Sequence, residues 1–210
     1  MEYQSSAVRT VTGPTIRPGG LFLTDRALAF CDFPPGAQLL DVGCGIGATV
    51  EHLRECHRLD AVGIDPSCSM LEEGRARNPE LPLGLGSAER IPAADGSKDG
   101  ILCECVLSLL PDPALVLAEF RRVLRPDGFL ILSDMYDRQA EGRGRFQLRL
   151  TDAGFTLLLF EDHTPLLKEL AARLVLAHGS LDGLGCRGCG GRPGYYLLVA
   201  QKDSPRPPLN

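Results

Sequence analysis

Short apolar runs alternate along the chain with stretches whose apolar residues recur at helical spacing. The runs predict seven strands, at residues 38–41, 60–64, 83–85, 99–103, 129–133, 155–160 and 195–201. Helices are predicted between them, as in 112–124, where Val116, Phe120 and Val123 share one face. Strands that alternate with helices form parallel sheets, which bind ligands at the carboxyl ends of their strands. The pattern predicts an α/β fold with its chemistry at one edge of the sheet.

A glycine-rich loop follows the first strand, and the chain is organised around it. The strand ends in Asp41, and Gly43, Gly45 and Gly47 lead into a helix predicted from 46 to 56. Such a loop lets a ligand approach the N-terminus of the helix. Gly43-x-Gly45-x-x-Ala48 fits a dinucleotide site, but the Asp41 carboxylate would repel a diphosphate. The same carboxylate would attract the ammonium group of S-adenosylmethionine, which is therefore the favoured cofactor.

A second acid follows the second strand. Asp65 lies about twenty residues beyond the loop, where an acid can bind both ribose hydroxyls. Ser67 is predicted to cap a helix that runs to about residue 78, and Met70 either contacts adenine or packs in the core. Arg17 and Thr24 are candidates for the cofactor carboxylate; the alternatives are a surface arginine and a simple helix cap.

The ends of the chain are less regular than its middle. Residues 1–36 are predicted to form an N-terminal arm, irregular up to residue 18, followed by a lid helix over 25–31 capped by Thr24. Residues 37–203 form the main domain, with a helical and glycine-rich insertion at about 163–194. Residues 204–210 are rich in proline and are expected to be disordered.

Composition narrows the possible partners. The chain has 210 residues, of which 44% are hydrophobic, and this suits one α/β domain with a full core. A net charge of -5 and a pI near 5.4 give no electrostatic basis for binding nucleic acid or an anionic membrane. No apolar run approaches the roughly 20 residues of a membrane span, and the N-terminus does not resemble a signal peptide.

Several of the eight cysteines lie in predicted strands, which favours reduced thiols in a cytoplasmic protein. The oligomeric state is left open.

Four stretches in order resemble class I S-adenosylmethionine-dependent methyltransferases of the small-molecule type 11 group. They are LDVGCGIG at 40–47, GIDPS at 63–67, AERIP at 88–92 and RVLRPDG at 122–128. The resemblance implies a Rossmann-like sheet of seven strands, mostly parallel, with helices on both faces and an antiparallel last strand placed inside the edge. It also implies an enzyme that transfers methyl groups to a small-molecule acceptor.

The resemblance assigns the cofactor site residue by residue. It implies methionine contacts at Asp41 and Gly43, ribose contacts at Asp65, and adenine near Ile64, Ala88 and Glu89. The full predicted cofactor-binding set is Asp41, Gly43, Cys44, Gly45, Asp65, Pro66, Met70, Ser87, Ala88, Glu89 and Cys103. Ser87 stands where the family usually has an acid for the adenine amine, so Glu89 is the alternative partner. The insertion before the last strand replaces a hairpin that is often tight in the family.

Three residues at predicted strand ends are candidates for catalysis. Glu104, Asp134 and Tyr136 are placed to contact the acceptor, and Glu104 is the candidate general base. As alternatives, Glu104 is a solvated acid or a helix cap, and Asp134 and Tyr136 bond neighbouring loops.

The cysteines raise a separate hypothesis about the acceptor. Residues 103–109 and 133–136 are similar to arsenite methyltransferases, in which a cysteine at the position of Cys105 binds the metalloid. Cys186 and Cys189 would then complete a thiol site for a soft acceptor. The favoured alternative is that Cys103 and Cys105 pack in the core and that the other two lie in a flexible loop. A zinc site formed by Cys186, Cys189 and His178 would lack a fourth ligand.

Two other functions compete with methyl transfer. A dinucleotide-binding oxidoreductase of the NAD type would share the fold, although Asp41 disfavours it. A non-catalytic protein that binds S-adenosylmethionine would share the whole donor site, because no residue here is an obligatory methyltransferase catalyst.

Overall fold

The computed structural model describes residues 6–140, 142–181 and 192–204. In this part of the chain the α-helices are α1 (Ser6–Thr12), α2 (Phe22–Cys31), α3 (Ala48–Glu55), α4 (Cys68–Arg77), α5 (Pro113–Val123), α6 (Arg143–Asp152) and α7 (Thr164–His178). The strands are β1 (Gln38–Val42), β2 (Asp60–Asp65), β3 (Leu83–Leu85), β4 (Lys98–Glu104), β5 (Leu124–Asp137), β6 (Phe155–Asp162) and β7 (Pro193–Lys202). Short 3-10 helices occupy Gly13–Thr15 and Leu107–Leu109.

The strands form one seven-stranded sheet in the order β3-β2-β1-β4-β5-β7-β6. Strands β1 to β5 pair in parallel, whereas β7 runs antiparallel between β5 and β6. In this pairing Ser133 lies opposite Leu197. The predicted Rossmann-like fold is confirmed, as is the antiparallel last strand beside 128–133 and inside the edge.

Helices cover both faces of the sheet, and the alternation of strand residues separates two apolar layers. In β4, Ile101 and Cys103 pack in the layer that α5 and α6 cover, while Leu102 packs in the layer that α2, α3, α4 and α7 cover. Successive side chains of a strand point to opposite faces, so a strand buried on both sides is apolar throughout. This is why the sequence shows continuous apolar runs rather than alternation.

The N-terminal segment is more ordered than the sequence predicts. Residues 6–12 form helix α1, so the prediction of an irregular arm over 1–18 is wrong there. Val8 of α1 packs against Leu170 and Leu174 of α7. An isolated helix of this length is unstable in water, and its stability here comes from tertiary packing.

Of the two helix caps predicted from the sequence, the structure confirms one and contradicts the other. The predicted cap Thr24 lies inside α2, which begins at Phe22, and its buried side chain bonds residues of the cavity described below. Ser67 does cap α4, because its hydroxyl accepts a hydrogen bond from the backbone N–H of Met70. Asp112 likewise caps α5.

Some predictions lie beyond what the structure describes. The glycine-rich part of the proposed insertion, with Cys186 and Cys189, and the tail beyond 204 lie outside the described residues. The domain boundaries at 36 and 203 stay predictions. None of the helices in the described ranges is both long and apolar enough to cross a membrane.

Candidate functional site

A cavity of about 320 Å³ opens at the carboxyl ends of β1, β2 and β4. The glycine loop lines the cavity on one side, residues 14–17 line it on another, and residues 104–106, 109 and 110 line it on a third. The predicted cofactor residues that line it are Asp41, Gly43, Cys44, Gly45, Asp65, Pro66 and Met70. The topology therefore brings the two acids and the glycine loop into one site.

The glycine loop approaches its neighbours too closely for a side chain. Gly43 has φ 78°, in the left-handed region, and a Cβ atom there would overlap the side chain of Val106. The N–H groups of Gly43 and Cys44 both donate to the carbonyl of Ile64, at 2.8 and 3.0 Å. These bonds hold the loop against the end of β2.

Asp65 joins the loop to the helix that follows β2. Its Oδ2 accepts a hydrogen bond from the N–H of Gly45 at 2.9 Å, and its Oδ1 accepts one from the N–H of Ser67 at 2.8 Å. A carboxylate oxygen can accept more than one hydrogen bond. Asp65 can therefore keep both backbone contacts and still receive two ligand hydroxyls.

Asp41 is a buried acid in an acidic setting. Burial and, to a smaller extent, the charge of Glu104 raise its pKa to about 8, although the charge of Arg17 lowers it. Asp65 adds a smaller effect in the raising direction. Since a buried carboxylate needs a positive partner, Asp41 is well suited to receive a ligand cation.

Arg17 is a buried residue that lines the cavity. It is 6% exposed and forms an ion pair with Glu104, with 2.9 Å between Nη1 and Oε2. Its guanidinium also donates to the hydroxyls of Thr49 and Thr24, at 3.0 and 2.7 Å, and to the carbonyl of Gly20. The interpretation of Arg17 as a surface arginine is therefore wrong.

Glu104 lies inside this network. Thr24 donates to its carboxylate at 3.1 Å, and Ser133 lies 3.4 Å from it. Glu104 is buried, so it is neither a solvated acid nor a helix cap. Among the three predicted catalytic residues it is the one that lines the cavity.

Asp134 bonds the loop that follows β4. It accepts hydrogen bonds from the N–H and hydroxyl of Ser108, at 2.8 and 2.7 Å, and from the N–H of Met135. Burial raises the pKa of Asp134 to about 6 against the effect of these bonds. The carboxylate is thus committed to holding the loop, as the alternative interpretation proposed.

Tyr136 packs in the layer covered by α5 and α6. Its ring meets Phe146 and Tyr196 edge to face, with centroids 5.8 and 5.7 Å apart. Neither Tyr136 nor Asp134 lines the cavity, although both lie near the end of β5. Their predicted catalytic roles therefore have no support from geometry.

The two cysteines near the end of β4, Cys103 and Cys105, are buried as thiols. Cys105 lines the cavity with φ 57°, and its sulfur lies 3.1 Å from the hydroxyl of Tyr195. Burial raises the pKa of Cys105 and of Cys103 above the usual range, whereas a metalloid is bound by the thiolate. Cys103 is fully buried beneath α5. These environments favour core packing over a soft-acceptor site.

Only some of the residues predicted to bind the cofactor line the cavity. Ser87, Ala88, Glu89 and Cys103 do not line the cavity, and Ala88 packs in the apolar layer under α5. Their cofactor roles stay predictions. Two walls escaped the sequence analysis, namely residues 14–16 and the apolar residues Val106, Leu109 and Leu110. The second could have been found, because it directly follows a strand end at the binding edge.

The comparisons with known proteins match this architecture. A methyltransferase domain family matches residues 40–132. Demethylmenaquinone methyltransferase of Renibacterium salmoninarum is 35% identical over 100 residues, which cover 48% of this chain and 42% of that protein. The match covers less than half the length of these curated relatives; the covered share is 42% in this one and 31% in another.

Solved structures extend the similarity over most of the chain. Phosphoethanolamine N-methyltransferase 2 of Haemonchus contortus, in complex with S-adenosyl-L-methionine, is 17% identical with a TM-score of 0.75 and covers 94% of this chain and 56% of its own. The [4+2]-cyclase SpnF is 25% identical with a TM-score of 0.70, over 86% of this chain and 80% of its own. The fold is thus shared by proteins with different reactions.

The sheet order and the cavity at the ends of β1, β2 and β4 define the class, a Rossmann-like methyltransferase fold. Sequence and structure comparisons agree on the family. The chain is similar to S-adenosylmethionine-dependent methyltransferases of class I over residues 40–132 and shares their fold.

Proposed function

We propose that this protein transfers a methyl group from S-adenosylmethionine to a small molecule bound in the same cavity. The observation that carries the proposal is the position of Asp41 and Asp65. They lie at the carboxyl ends of two adjacent parallel strands and line one cavity around the glycine loop. An oxidoreductase of the NAD type is disfavoured, because Asp41 would lie against a diphosphate.

The residues present fit the charges of the cofactor. Asp41 would bind the ammonium group, and Arg17, which faces it, would bind the carboxylate. Asp65 would bind the ribose hydroxyls, and Pro66 and Met70 would contact the adenine ring. The sulfonium is a further positive charge, and the three acids of the cavity outnumber its single arginine.

The chemistry asks little of the protein beyond alignment. The cofactor supplies a methyl group that is already activated by the sulfonium, so the chain must orient the acceptor and, where needed, remove a proton. Val106, Leu109 and Leu110 give the cavity an apolar wall, which suits an acceptor with apolar surface. We propose Glu104 as the residue that receives a proton from the acceptor.

The relatives supply candidate acceptors. Their names point to a quinol precursor in demethylmenaquinone methyltransferase and to an amine in phosphoethanolamine N-methyltransferase 3 of Arabidopsis thaliana. The apolar wall favours the first type. Trivalent arsenic is a further candidate acceptor, because Cys105 lines the cavity.

The test is acceptor-dependent formation of S-adenosylhomocysteine in a screen of quinols, phenols, amines, thiols and trivalent arsenic. We expect turnover with one acceptor class, and we expect Glu104→Gln to lower kcat by roughly 10²- to 10⁴-fold if a proton is removed. Tyr136→Phe is the matched control, since its hydroxyl lies outside the cavity. Binding of S-adenosylmethionine without turnover on any acceptor would support the non-catalytic alternative.

A further inference from the structure

We propose that Asp25, His52 and His57 form a binding site for a divalent transition metal such as Zn²⁺. The site lies outside the cofactor cavity, on the outer surface where α2 meets α3. It uses none of the residues that line the cavity, so it stands or falls independently of the proposed function.

The three ligand atoms converge on one point. The Nε2 atoms of His52 and His57 lie 2.5 and 2.9 Å from the same Asp25 oxygen, and 3.3 Å from each other. Tetrahedral bonds of about 2.0–2.1 Å place neighbouring ligand atoms about 3.3 Å apart. The two imidazole nitrogens already have this separation, and the carboxylate needs to move outward by less than one ångström.

The donor set matches the chemistry of zinc. Two imidazoles and one carboxylate are a known set of three protein ligands, which leaves a fourth position for water. The side chains of Asp25 and His57 are 48% and 31% exposed, so a metal and a water ligand have access. The side chain of His52 is the least exposed of the three, at 17%.

Local structure directs the three side chains to this point. Asp25 lies in the first turn of α2 and His52 in the last turn of α3. His57 lies two residues beyond the end of α3, and the next residue, Arg58, has φ 56°, which turns the chain back towards β2. A metal would therefore join α2 to the end of α3.

The inner sides of the same two helices contact Arg17 and Glu104, two residues that line the cofactor cavity. Thr24, next to Asp25, bonds Arg17 and Glu104, and Thr49 in the first turn of α3 accepts a hydrogen bond from Arg17. Metal binding on the outer surface would thus hold together the two helices that position Arg17.

The same cluster can also be explained without a metal, and the experiment must distinguish the two explanations. Each imidazole can donate an Nε2–H to the shared carboxylate oxygen. Partial burial raises the pKa of Asp25, but the hydrogen bonds from His52 and His57 together lower it by more, so the pKa lies below its usual value. A metal ligand instead needs the Nε2 lone pair, which moves the proton of the neutral ring to Nδ1. The two states differ in tautomer.

The decisive experiment follows the ¹⁵N imidazole resonances during titration with Zn²⁺ of the full chain that carries Cys186→Ser and Cys189→Ser, so that these two thiols do not compete for the metal. We expect one equivalent to shift the Nε2 resonances of His52 and His57, with Nδ1 becoming the protonated nitrogen. Resonances of His163 and His178 should stay in place. Unchanged Nε2 resonances of His52 and His57 at stoichiometric zinc would overturn the proposal.

Affinity is measured by calorimetry in a Cys186→Ser/Cys189→Ser chain, which removes a competing thiol pair. His52→Gln and His57→Gln should each weaken zinc binding by at least about tenfold, since even partners of metal ligands matter on that scale. Glutamine keeps an N–H donor for Asp25, so the metal-free contact is retained and folding is not at issue. His178→Gln is the matched control. Equal affinity in all four chains would also overturn the proposal.

Discussion

The charges of a few buried residues decide what the cavity can bind. Asp41, Asp65 and Glu104 lie within one cavity, and Arg17 is the cation that faces them. A buried group of acids with incomplete compensation favours a ligand that brings positive charge. S-adenosylmethionine brings an ammonium and a sulfonium, so the electrostatics and the family assignment agree.

The raised pKa of Asp41 predicts a pH optimum for binding. The carboxyl group titrates with a pKa of about 8, and an α-amino group titrates at about 8 as well. Below pH 8, binding must displace a proton from Asp41; above pH 8, the ligand amine loses its proton. Affinity for S-adenosylhomocysteine should therefore peak near pH 8 and fall by up to about tenfold per pH unit on each side.

Calorimetry between pH 6 and pH 10 measures this profile. Asp41→Asn should remove the acid limb and leave the alkaline one, because the ligand amine still titrates. An affinity of the parent protein that stays constant from pH 6 to pH 8 would show that Asp41 does not bind the amine.

Gly43 provides a second test at the residue scale. Gly43→Ala places a methyl group in a left-handed backbone and against Val106, whereas Gly36→Ala meets no atom within 4 Å at a similar φ of 80°. Overpacking costs about 1–3 kcal/mol, so Gly43→Ala should lose that much more free energy of unfolding than Gly36→Ala. Denaturant titration compares the two, and equal losses would mean that the close approach of Val106 is absent.

Residue spacing predicted correctly that Asp41 and Asp65 lie in one cavity, but it did not predict that Asp134 and Tyr136 lie outside it. Asp41 and Asp65 follow strands at the binding edge, and their spacing from the glycine loop fixes their place. Asp134 and Tyr136 also lie at a strand end, yet their side chains belong to other surroundings. Because β5 is buried on both faces, its apolar sequence carries no signal of which side chains turn towards the cavity.

At the scale of elements, tertiary packing explains what the sequence missed. The seven strands were predicted because each is a distinct apolar run. Helix α1 was missed because a helix of seven residues with few apolar positions carries little periodic signal. Residues 125–128, which precede the predicted strand at 129–133, lie within β5, and its pairing with β4 is irregular there, between Lys98 and Gly100.

Docking of α1 on α7 predicts a contrast between two leucines of the same helix. Leu174 is fully buried against Val8, whereas Leu176 is 87% exposed. Leu174→Ala should lower the free energy of unfolding by about 2–5 kcal/mol, and Leu176→Ala should change it by less than about 0.5 kcal/mol. Chemical denaturation measures both; a small effect at Leu174 would mean that α1 does not dock as described.

At the scale of the whole molecule, topology assembles the site from distant parts of the chain. The parallel order β2-β1-β4 brings Asp65, Asp41 and Glu104 to one edge. The segment after α1 then adds Arg17, which no spacing rule connects to that edge. Long-range pairing of this kind is set by the fold, so the sequence predicted the cavity residues at the strand ends better than those of the N-terminal segment.

The central claim is that this edge of the sheet binds S-adenosylmethionine, and Asp65 offers the most direct measurement. Calorimetric titration with S-adenosylhomocysteine should show one site, and Asp65→Asn should weaken it by about 1–3 kcal/mol through loss of charged hydrogen bonds. Asp60→Asn makes the same change at the opposite, exposed end of β2 and should leave affinity unchanged. Binding of NAD in place of S-adenosylhomocysteine, or equal affinities in the two variants, would contradict the account.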